Sequence, residues 1–284
     1  MKYFLIIIVL FVILLFLSLV YRKWLEITCV KIEINRYPGS LCIAHISDLH
    51  DYEYGKNNEL IKNQISLKKP DYICISGDLT NSYADKLDEA VLFLKQLVDE
   101  GYKVIYAPGN HEIRIKNQDE DLYNEYIENL KKIGVIYLDA ASKVVDDIVF
   151  TGYAGRSIHY SKFKPIYKLN TEELKEELSD SLNDISNKNF LSVFLAHNPL
   201  YFAQYEAVGA DLVLSGHLHG GIIRLPVIGG IMSPQTFWGS KYSAGLYKIN
   251  NSQMYVSRGL GLHTVHFRLF NRPELAFLYI NKER

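Results

Sequence analysis

The chain has 284 residues and carries 31 Lys and Arg against 32 Asp and Glu, which gives a net charge of −1 at pH 7. This near-neutral balance, without a long basic run, excludes the electrostatic surface of a typical nucleic-acid-binding protein, so we expect no nucleic-acid partner. The three cysteines, Cys29, Cys42 and Cys74, are odd in number. We interpret them as small core residues rather than a disulfide framework or a cysteine-rich metal site.

The chain begins with an apolar run over residues 3–20, followed by Tyr21 and Trp24. A helix of this length nearly spans a hydrocarbon core of about 30 Å, and Tyr and Trp suit its interface with water. We therefore predict one transmembrane anchor within residues 1–24 and one globular domain over residues 25–284. A cleaved signal peptide is the alternative, but its apolar part is usually only about 7–15 residues long and ends in small residues.

The orientation of the anchor depends on a small difference in flanking charge. Lys2 and the amino terminus lie on one side, and Arg22 and Lys23 lie on the other. Because a lone N-terminal anchor more often leaves the amino terminus in the cytoplasm, we expect a single-pass membrane protein with an extracytoplasmic globular domain.

Strands and helices alternate along the chain, so that its first half is βαβ-like. Short, nearly continuous apolar runs predict strands buried on both faces, over residues 41–46, 72–75, 104–106, 190–195 and 211–214. Helical spacing predicts helices over residues 57–69, 83–100, 120–133 and 171–185. This alternation indicates βαβ units and mainly parallel pairing.

Strands joined by tight turns occupy most of the remaining segments. They are predicted over residues 144–153, 243–249, 253–257 and 275–280, with a hairpin turn at Asn250-Asn251. The predicted fold is therefore α/β, a four-layer αββα sandwich of two mixed sheets, preceded by one transmembrane helix.

Polar motifs follow five of the apolar runs directly. They are Asp48-Leu49-His50, Gly77-Asp78, Gly109-Asn110-His111, His197-Asn198-Pro199 and Gly216-His217-Leu218-His219-Gly220. Because open α/β sheets carry their chemistry beyond the carboxyl ends of the strands, we expect these side chains to converge. Carboxylate, imidazole and amide ligands without thiolate suit Zn, Mn or Fe. We predict two divalent or trivalent metal ions, with Asp78 as the carboxylate that bridges them.

His111 differs from the predicted ligands because it follows Asn110 by one residue, so the two side chains diverge. It is free to protonate a leaving alkoxide or to steady phosphoryl oxygens, and we predict it to be catalytic. Glu112 is expected to orient its neighbours, with a loop or helix-start carboxylate as the alternative. Asp51 is expected to be a solvated loop carboxylate, with an orienting role beside the ligands as the alternative. The histidines outside the motifs are interpreted as structural: His45, His159, His263 and His266.

The set of motifs resembles the calcineurin-like metallophosphoesterases, whose pattern is D-x-H, G-D, G-N-H-E/D, H and G-H-x-H in this order. The resemblance implies a first metal held by Asp48, His50, Asp78 and His219. It implies a second metal held by Asp78, Asn110, His197 and His217. It also implies the four-layer fold and hydrolysis of a phosphodiester or phosphomonoester by a metal-bound hydroxide, assisted by His111.

Within this family, the anchor and the sequence Tyr-Val-Ser-Arg-Gly-Leu-Gly at residues 255–261 resemble the bacterial membrane-associated phosphodiesterases of the YkuE and YaeI type. Arg258 in that sequence, and Arg156 in a basic and aromatic loop at residues 155–168, are candidates for binding substrate phosphate. A structural ion pair is the alternative for Arg258, and a solvated loop is the alternative for residues 155–168.

Residues 222–242 are rich in Gly, Pro and large apolar residues, among them Trp238, and follow the last metal motif. An apolar loop beside a metal site on an anchored chain indicates a phosphate ester that is itself lipid-linked. A hairpin that completes the core is the alternative for this loop. Two other functions stay open: a pyrophosphatase acting on a lipid-linked nucleotide sugar of the UDP-2,3-diacylglucosamine type, which related enzymes imply, and a non-catalytic metal-bound scaffold. The oligomeric state is left open.

Overall fold

The computed structural model describes residues 2–82, 86–162, 166–187, 189–225, 227–233, 235, 240–262 and 267–282. The strands are β1 (Glu26–Glu33), β2 (Ser40–Ile46), β3 (Tyr72–Ser76), β4 (Lys103–Ala107), β5 (Ile136–Tyr137), β6 (Ala141–Val145), β7 (Ile148–Tyr153), β8 (Leu191–Ala196), β9 (Leu212–Ser215), β10 (Arg224–Leu225), β11 (Gly229–Gly230), β12 (Gly245–Ile249), β13 (Ser252–Val256) and β14 (Glu274–Asn281). The α-helices are α1 (Lys2–Tyr21), α2 (Glu59–Lys68), α3 (Leu87–Asp99), α4 (Asn110–Gln118), α5 (Glu120–Lys132), α6 (Thr171–Glu177), α7 (Leu182–Ser186) and α8 (Phe202–Ala207).

Two six-stranded mixed sheets form the centre of the fold. The first has the strand order β1-β14-β2-β3-β4-β5 and the second has the order β12-β13-β9-β8-β7-β6. In the first sheet β14 runs antiparallel to β2, whereas β2, β3 and β4 are parallel. In the second sheet β7, β8, β9 and β13 are parallel, and β6 and β12 are antiparallel edges. The predicted pair of mixed sheets is therefore confirmed.

The sheets face each other across an apolar layer, and helices cover their outer faces. Ile43, Val193 and Leu278 belong to the layer between the sheets. Leu94 of α3 packs in the core on the outer side of the first sheet, and Phe202 of α8 packs in the corresponding core of the second. This order of layers follows from the strand sequences, since runs that are apolar on both sides must be covered on both faces.

Several segments differ from the sequence-based expectations. The helix predicted over residues 171–185 is broken into α6, a 3₁₀ turn at Ser179–Ser181, and α7. Ser and Asp side chains in that turn compete for backbone hydrogen bonds, which disfavours a continuous helix. The single strand predicted over residues 144–153 is the antiparallel pair β6 and β7, reversed at Asp146, whose φ is 53°. The sequence also does not predict β1 or the polar helix α4.

Helix α1 is the predicted apolar segment, and it is long and apolar enough to cross a membrane. Its carboxyl-terminal end packs against the globular part of the chain. The backbone N–H of Arg268 donates to Ser18 Oγ at 3.0 Å, and the Tyr21 ring meets the Phe270 ring edge-on at 5.7 Å. The end of the helix is therefore fixed to residues 268–270.

We expect truncation of a side chain between the sheets to cost far more than truncation of an exposed one. Leu278→Ala should lower the free energy of unfolding by about 2–5 kcal/mol, because Leu278 is fully buried and the cavity would not close. Leu67→Ala on α2 is the control; Leu67 is 73% exposed, so its loss should change stability by about 0.5 kcal/mol or less. Urea unfolding of the detergent-solubilised chain measures both, and equal effects would contradict the assigned core.

Candidate metal centre

Five strand ends deliver the predicted ligands to one place. β2 leads to Asp48 and His50, β3 to Asp78, β4 to Asn110, β8 to His197, and β9 to His217 and His219. The carboxylates and imidazoles among them are all buried, with 6% exposure or less. Because β2, β3 and β4 are parallel, as are β8 and β9, their carboxyl ends meet at the same end of the facing sheets.

The ligand atoms form two neighbouring clusters. In the first, His219 Nε2 lies 3.2 Å from Asp48 Oδ1 and 3.1 Å from His50 Nε2. In the second, Asp78 is grouped with His197 and His217, and His197 Nε2 lies 3.1 Å from Asp78 Oδ2. Asp78 Oδ2 is also 3.8 Å from His50 Nε2 of the first cluster. One carboxylate oxygen thus stands between the two clusters, which is the position a bridging ligand requires.

The donor set fits metal ions, as three observations on individual atoms indicate. His197 Nδ1 donates to the Ser76 carbonyl at 2.7 Å, which leaves Nε2, 3.1 Å from Asp78 Oδ2, as the ring atom that a metal ion could bind in place of a proton. Asn110 Oδ1 is buried and accepts no hydrogen bond from the residues that the structure describes. His50 and His219 present their Nε2 atoms to each other at 3.1 Å, as ligands of one cation do. Imidazole, carboxylate and amide donors are compatible with Zn, Mn or Fe.

Much of the ligand backbone adopts the left-handed conformation. φ is positive at Asp48 (51°), His50 (49°), Asp78 (51°), His217 (67°) and His219 (50°). For residues other than glycine this conformation is uncommon and costs about 1–3 kcal/mol at each position, so it persists only where the surroundings enforce it. The backbone at the centre is therefore strained.

Hydrogen bonds between the ligand loops maintain that strained backbone. The carboxylate of Asp48 accepts the N–H of His217 at 3.0 Å, and Asp78 Oδ1 accepts the N–H of His111 at 2.8 Å. The N–H of His50 donates to the carbonyl of Asp78 at 3.1 Å. Asp78 thus uses one carboxylate oxygen for the backbone and keeps the other for the cluster.

Glu112 lies in the first turn of α4 and organises the Asp78 and Asn110 loops. Its buried carboxylate accepts the N–H groups of Asp78, Thr80 and Gly109 at 3.0, 3.2 and 2.7 Å, and the hydroxyl of Tyr106 at 2.8 Å. Burial, followed by repulsion from Asp78, raises the pKa of Glu112. The expected orienting contacts are present.

Asp51, the expected solvated loop carboxylate, is hydrogen-bonded to the loop that follows Asp78. Its Oδ2 accepts the N–H of Asn81 at 2.9 Å, and the Asn81 side chain in turn donates to the carbonyl of His50 at 2.8 Å. Although Asp51 is partly exposed, this contact favours the alternative of an orienting role, because Asp51 is held against the loop that follows Asp78. It supports the backbone next to a predicted ligand.

Burial and the two carboxylates set the protonation of the histidines. Burial lowers the pKa of His50 and of His217 to about 3, so both imidazoles are neutral and available as ligands. Burial also lowers the pKa of His197, but Asp78 and Asp48 outweigh it and raise that pKa to about 9. A cation between these residues would replace the proton on His197 as the positive charge that the carboxylates attract.

His111 faces the same centre in a defined tautomer. Its Nδ1 accepts the backbone N–H of Ser82 at 3.1 Å, and the Ser82 hydroxyl lies 2.8 Å from the same nitrogen. Since a nitrogen that accepts an N–H cannot itself be protonated, the ring proton is on Nε2. That atom lies 3.9 Å from Asp78 Oδ2. His111 therefore presents an N–H donor to the centre.

The two arginines predicted to bind substrate lie in ion pairs outside the clusters. Arg258 contacts Glu274 at 2.9 Å and Glu26 at 3.2 Å. Arg156 contacts Glu173, and its Nε lies 3.0 Å from Glu177. For Arg258 this geometry favours the structural alternative, and substrate binding by either residue stays a prediction.

The histidines interpreted as structural are found in two situations. His45 is buried and its Nε2 contacts Ser76 Oγ at 2.7 Å, and His159 is buried with its Nδ1 accepting the N–H of Arg156 at 3.1 Å. Both are hydrogen-bonded, and neither belongs to a group of described residues that could hold a metal ion. His263 and His266, like Trp238, lie outside the residues that the structure describes.

Two residues beside the second cluster have no signal in the sequence motifs. Gln235 Oε1 lies 3.2 Å from His217 Nε2 and accepts the Asn198 side-chain N–H at 3.0 Å. Tyr160, in the loop flagged as basic and aromatic, packs its ring edge-on against His217 at 4.9 Å. The loop is therefore not merely solvated, because this part of it covers a predicted ligand.

A family model for calcineurin-like phosphoesterases matches residues 42–221, which include every predicted ligand. The chain belongs to this family. It is 27% identical to the uncharacterized metallophosphoesterase YkuE of Bacillus subtilis, over 82% of this chain and 74% of that protein. It is 28% identical to the uncharacterized metallophosphoesterase Cj0846 of Campylobacter jejuni, over 91% of this chain and 64% of that protein. It is 27% identical to the phosphodiesterase YaeI of Escherichia coli, over 83% of this chain and 80% of that protein.

Family membership and the Asp and His clusters make the chain a metal-dependent phosphoester hydrolase. The resemblance to YkuE and YaeI that the sequence indicated is confirmed. The chain spans just under two thirds of the length of Cj0846.

We expect Glu112→Gln to weaken metal binding, although Glu112 contacts no predicted metal position. An amide in place of the carboxylate would turn an NH₂ group towards N–H donors and loosen the Asp78 and Asn110 loops, with an expected loss of about 10–100-fold in Mn²⁺ affinity. Calorimetric titration of the metal-free chain measures the affinity. Glu125→Gln on the exposed face of α5 is the matched control. Equal affinities in the two variants would show that Glu112 does not support the ligand loops.

Proposed function

We propose that the chain hydrolyses a phosphodiester by means of two metal ions, and that the ester is membrane-embedded or lipid-linked. The observation that supports the reaction best is the convergence of three histidines on one carboxylate oxygen: the Nε2 atoms of His50, His111 and His197 lie 3.8, 3.9 and 3.1 Å from Asp78 Oδ2. Asp48, His50, Asp78 and His219 would hold one ion. Asp78, Asn110, His197 and His217 would hold the other.

The bound ions would supply an activated water and would neutralise charge on the phosphoryl oxygens. The chain supplies the remaining functions. Ser82 keeps His111 Nδ1 unprotonated, so the Nε2 proton points to the centre and can be donated to the leaving oxygen. Glu112 and the backbone bonds to Asp78 hold the carboxylate in place before substrate binds. A non-catalytic scaffold would have no use for a directed proton that no ligand requires.

If this assignment is right, replacing His111 and replacing His217 should have different effects on metal content. In the full chain in detergent with Mn²⁺, we expect His111→Ala to lower kcat for bis(p-nitrophenyl) phosphate by about 10²–10⁴-fold with its metal content retained. His217→Ala should lose both metal and activity. Gln118→Ala, at an exposed position on α4, is the control and should retain both.

The opposite result is also informative. A wild-type chain that binds two metal ions but hydrolyses neither phosphodiesters nor phosphomonoesters would contradict the catalytic role. Partner binding that depends on the metal ligands would then favour the scaffold function.

The membrane part of the proposal is supported by α1 and by its contacts. The helix is apolar over nearly all of the span Tyr3–Tyr21, and its end is fixed to residues 268–270 by Ser18 and Tyr21. Asn271, the next residue, donates its side-chain N–H to the carbonyl of His219 at 2.7 Å. The anchor is thus only a few residues away from a predicted metal ligand. This closeness favours a substrate presented at the membrane. The extracytoplasmic side for the domain is proposed separately, from the usual topology of a lone N-terminal anchor.

Charges placed in α1 test the anchor. Leu14→Arg with Phe16→Arg should abolish retention of the chain in membranes washed with alkaline carbonate, because each arginine opposes insertion by about 2.5–3.5 kcal/mol. Leu67→Arg on α2 is the control and should remain in the membrane fraction. The intact mass of the wild-type chain separates the alternatives: an uncleaved, membrane-retained chain supports an anchor, and a shortened soluble chain indicates a signal peptide.

A further inference from the structure

We infer that the tip of the β10–β11 hairpin, together with Phe270, forms a second membrane contact. It inserts into the bilayer surface at which the carboxyl-terminal end of α1 emerges, and it holds the metal centre at the headgroup layer. The occupant of this surface is an anionic lipid bilayer. The inference rests on the proposed membrane attachment through α1. It adds a surface on the globular part of the chain that the attachment alone does not require.

The base of the hairpin is packed directly on the last ligand loop. Gly221 lies two residues after His219, and a Cβ at Gly221 would fall 2.6 Å from the Cα of Gly230 in β11. Asn271 donates its side-chain N–H to the carbonyls of His219 and Gly221 at 2.7 and 2.9 Å. The hairpin and the ligand loop are therefore one packed unit, in which glycine at 221 allows the close approach.

The hairpin also contacts residues 268–270, which in turn contact the end of α1. The N–H of Arg224 in β10 donates to the carbonyl of Leu269 at 3.1 Å, and Ile223 bridges to Leu269. The residues on either side of Leu269 are those that contact α1, through Ser18 and Tyr21. Helix α1, residues 268–270 and β10 are thus successive neighbours.

The length of α1 determines the depth of these neighbours. Residues 3–20 at about 1.5 Å each give about 27 Å, slightly less than a hydrocarbon core of about 30 Å. Nearly the whole run must therefore lie in the core, and Ser18, less than one turn from its end, lies near the boundary with the headgroups. The segment that binds Ser18 has to reach that same depth.

The side chains exposed on this surface suit that depth. Val227 and Ile228, at the hairpin tip, are 107% and 72% exposed, and Phe270 is 47% exposed. Each would gain roughly 1.5–3 kcal/mol if an apolar environment covered it fully. Trp24 is 58% exposed and its ring lies 4.6 Å from the Arg272 guanidinium, an aromatic and cationic pair typical of a membrane interface.

Charge selects a bilayer over an apolar protein partner. Three basic residues lie at the end of α1: Arg22 and Lys23 follow it directly in the chain, and Arg272, which also pairs with Glu26 at 2.9 Å, lies against Trp24. Each basic residue near an anionic leaflet contributes about 1 kcal/mol. Apolar tips, with basic residues at the end of α1, match acyl chains beneath anionic headgroups.

The geometry fits a phosphate at headgroup depth. Ile228 precedes Gly230 by two residues, so at about 3.3 Å per residue the tip projects about 7 Å from the contact between Gly230 and Gly221. Half of the difference between total and hydrocarbon thickness of a bilayer is about 5–8 Å. A tip at the acyl boundary therefore places the ligand loop at the outer edge of the headgroup layer. The substrate class is an amphipathic phosphoester whose phosphate stays at the bilayer surface.

A fluorophore at the tip tests the contact directly. Val227→Cys in the full chain, with the exposed Cys29 changed to serine, is labelled with an NBD maleimide and reconstituted in vesicles of equal parts phosphatidylcholine and phosphatidylglycerol. We expect emission at a shorter wavelength than in detergent-free buffer, and quenching by spin-labelled lipid about twofold stronger than for Leu67→Cys, the exposed control on α2. Ile228→Cys provides a second position and should agree.

The outcomes separate this surface from the anchor and from catalysis. If the chain floats with the vesicles but the probes at 227 and 228 report water, the hairpin contact is refuted and the anchor stands. If the chain does not float, both the anchor and this surface are refuted. Hydrolysis does not enter the fluorescence readout, so a chain without phosphodiesterase activity would leave the result on the surface unaffected.

Discussion

Two fully buried carboxylates, Asp48 and Asp78, are the constraint on which the rest of the site depends. Removing a carboxylate from water is costly unless opposite charge and hydrogen bonds replace the lost hydration. Here each carboxylate lies within 4 Å of at least three imidazole nitrogens and also accepts a backbone N–H. Cations in the two clusters would complete that compensation. The strained backbone nearby is the cost of bringing five strand ends to these two groups.

Glycine makes the close approach of the ligand loops to the carboxylates feasible. A Cβ at Gly109 would lie 2.3 Å from Asp78 Oδ1, and a Cβ at Gly216 would lie 2.2 Å from Asp48 Oδ2. Both distances are well below van der Waals contact. The glycine in each of these two motifs therefore has a steric reason, separate from the metal ligand that follows it. The glycines that begin these two motifs therefore indicate a buried carboxylate nearby, and the residues that follow them indicate the metal.

The sequence predicts those parts of the site in which a polar residue directly follows a buried strand, where a role as a ligand explains its presence. Apolar runs that end in Asp, Asn or His identify the strand ends, and the strand order then brings the ligands together. The contributions of Ser82 and Gln235 were not predictable, because hydroxyl and amide groups in loops occur widely and their partners are distant in the chain. Helix α4 was missed for a related reason, since its polar sequence Asn-His-Glu-Ile-Arg-Ile-Lys-Asn-Gln has little apolar periodicity, and packing at the centre determines its position. The break between α6 and α7 reflects competition between local hydrogen bonds and helix continuity, which periodicity does not register.

The end of the apolar helix α1 and the geometry of the candidate metal centre are linked through two adjacent residues, Phe270 and Asn271. Asn271 bonds to the carbonyl of His219, a residue whose backbone is left-handed with φ of 50°, and the preceding residue, Phe270, packs on Tyr21 at the end of α1. A strained conformation is maintained only when its neighbours are fixed more firmly than it is. The end of the apolar helix supplies such a fixed neighbour for the last ligand loop. The segment that carries the chain's contact with the helix is therefore also the segment that keeps His219 turned towards Asp48, so that anchoring and ligand geometry are properties of the same packed unit.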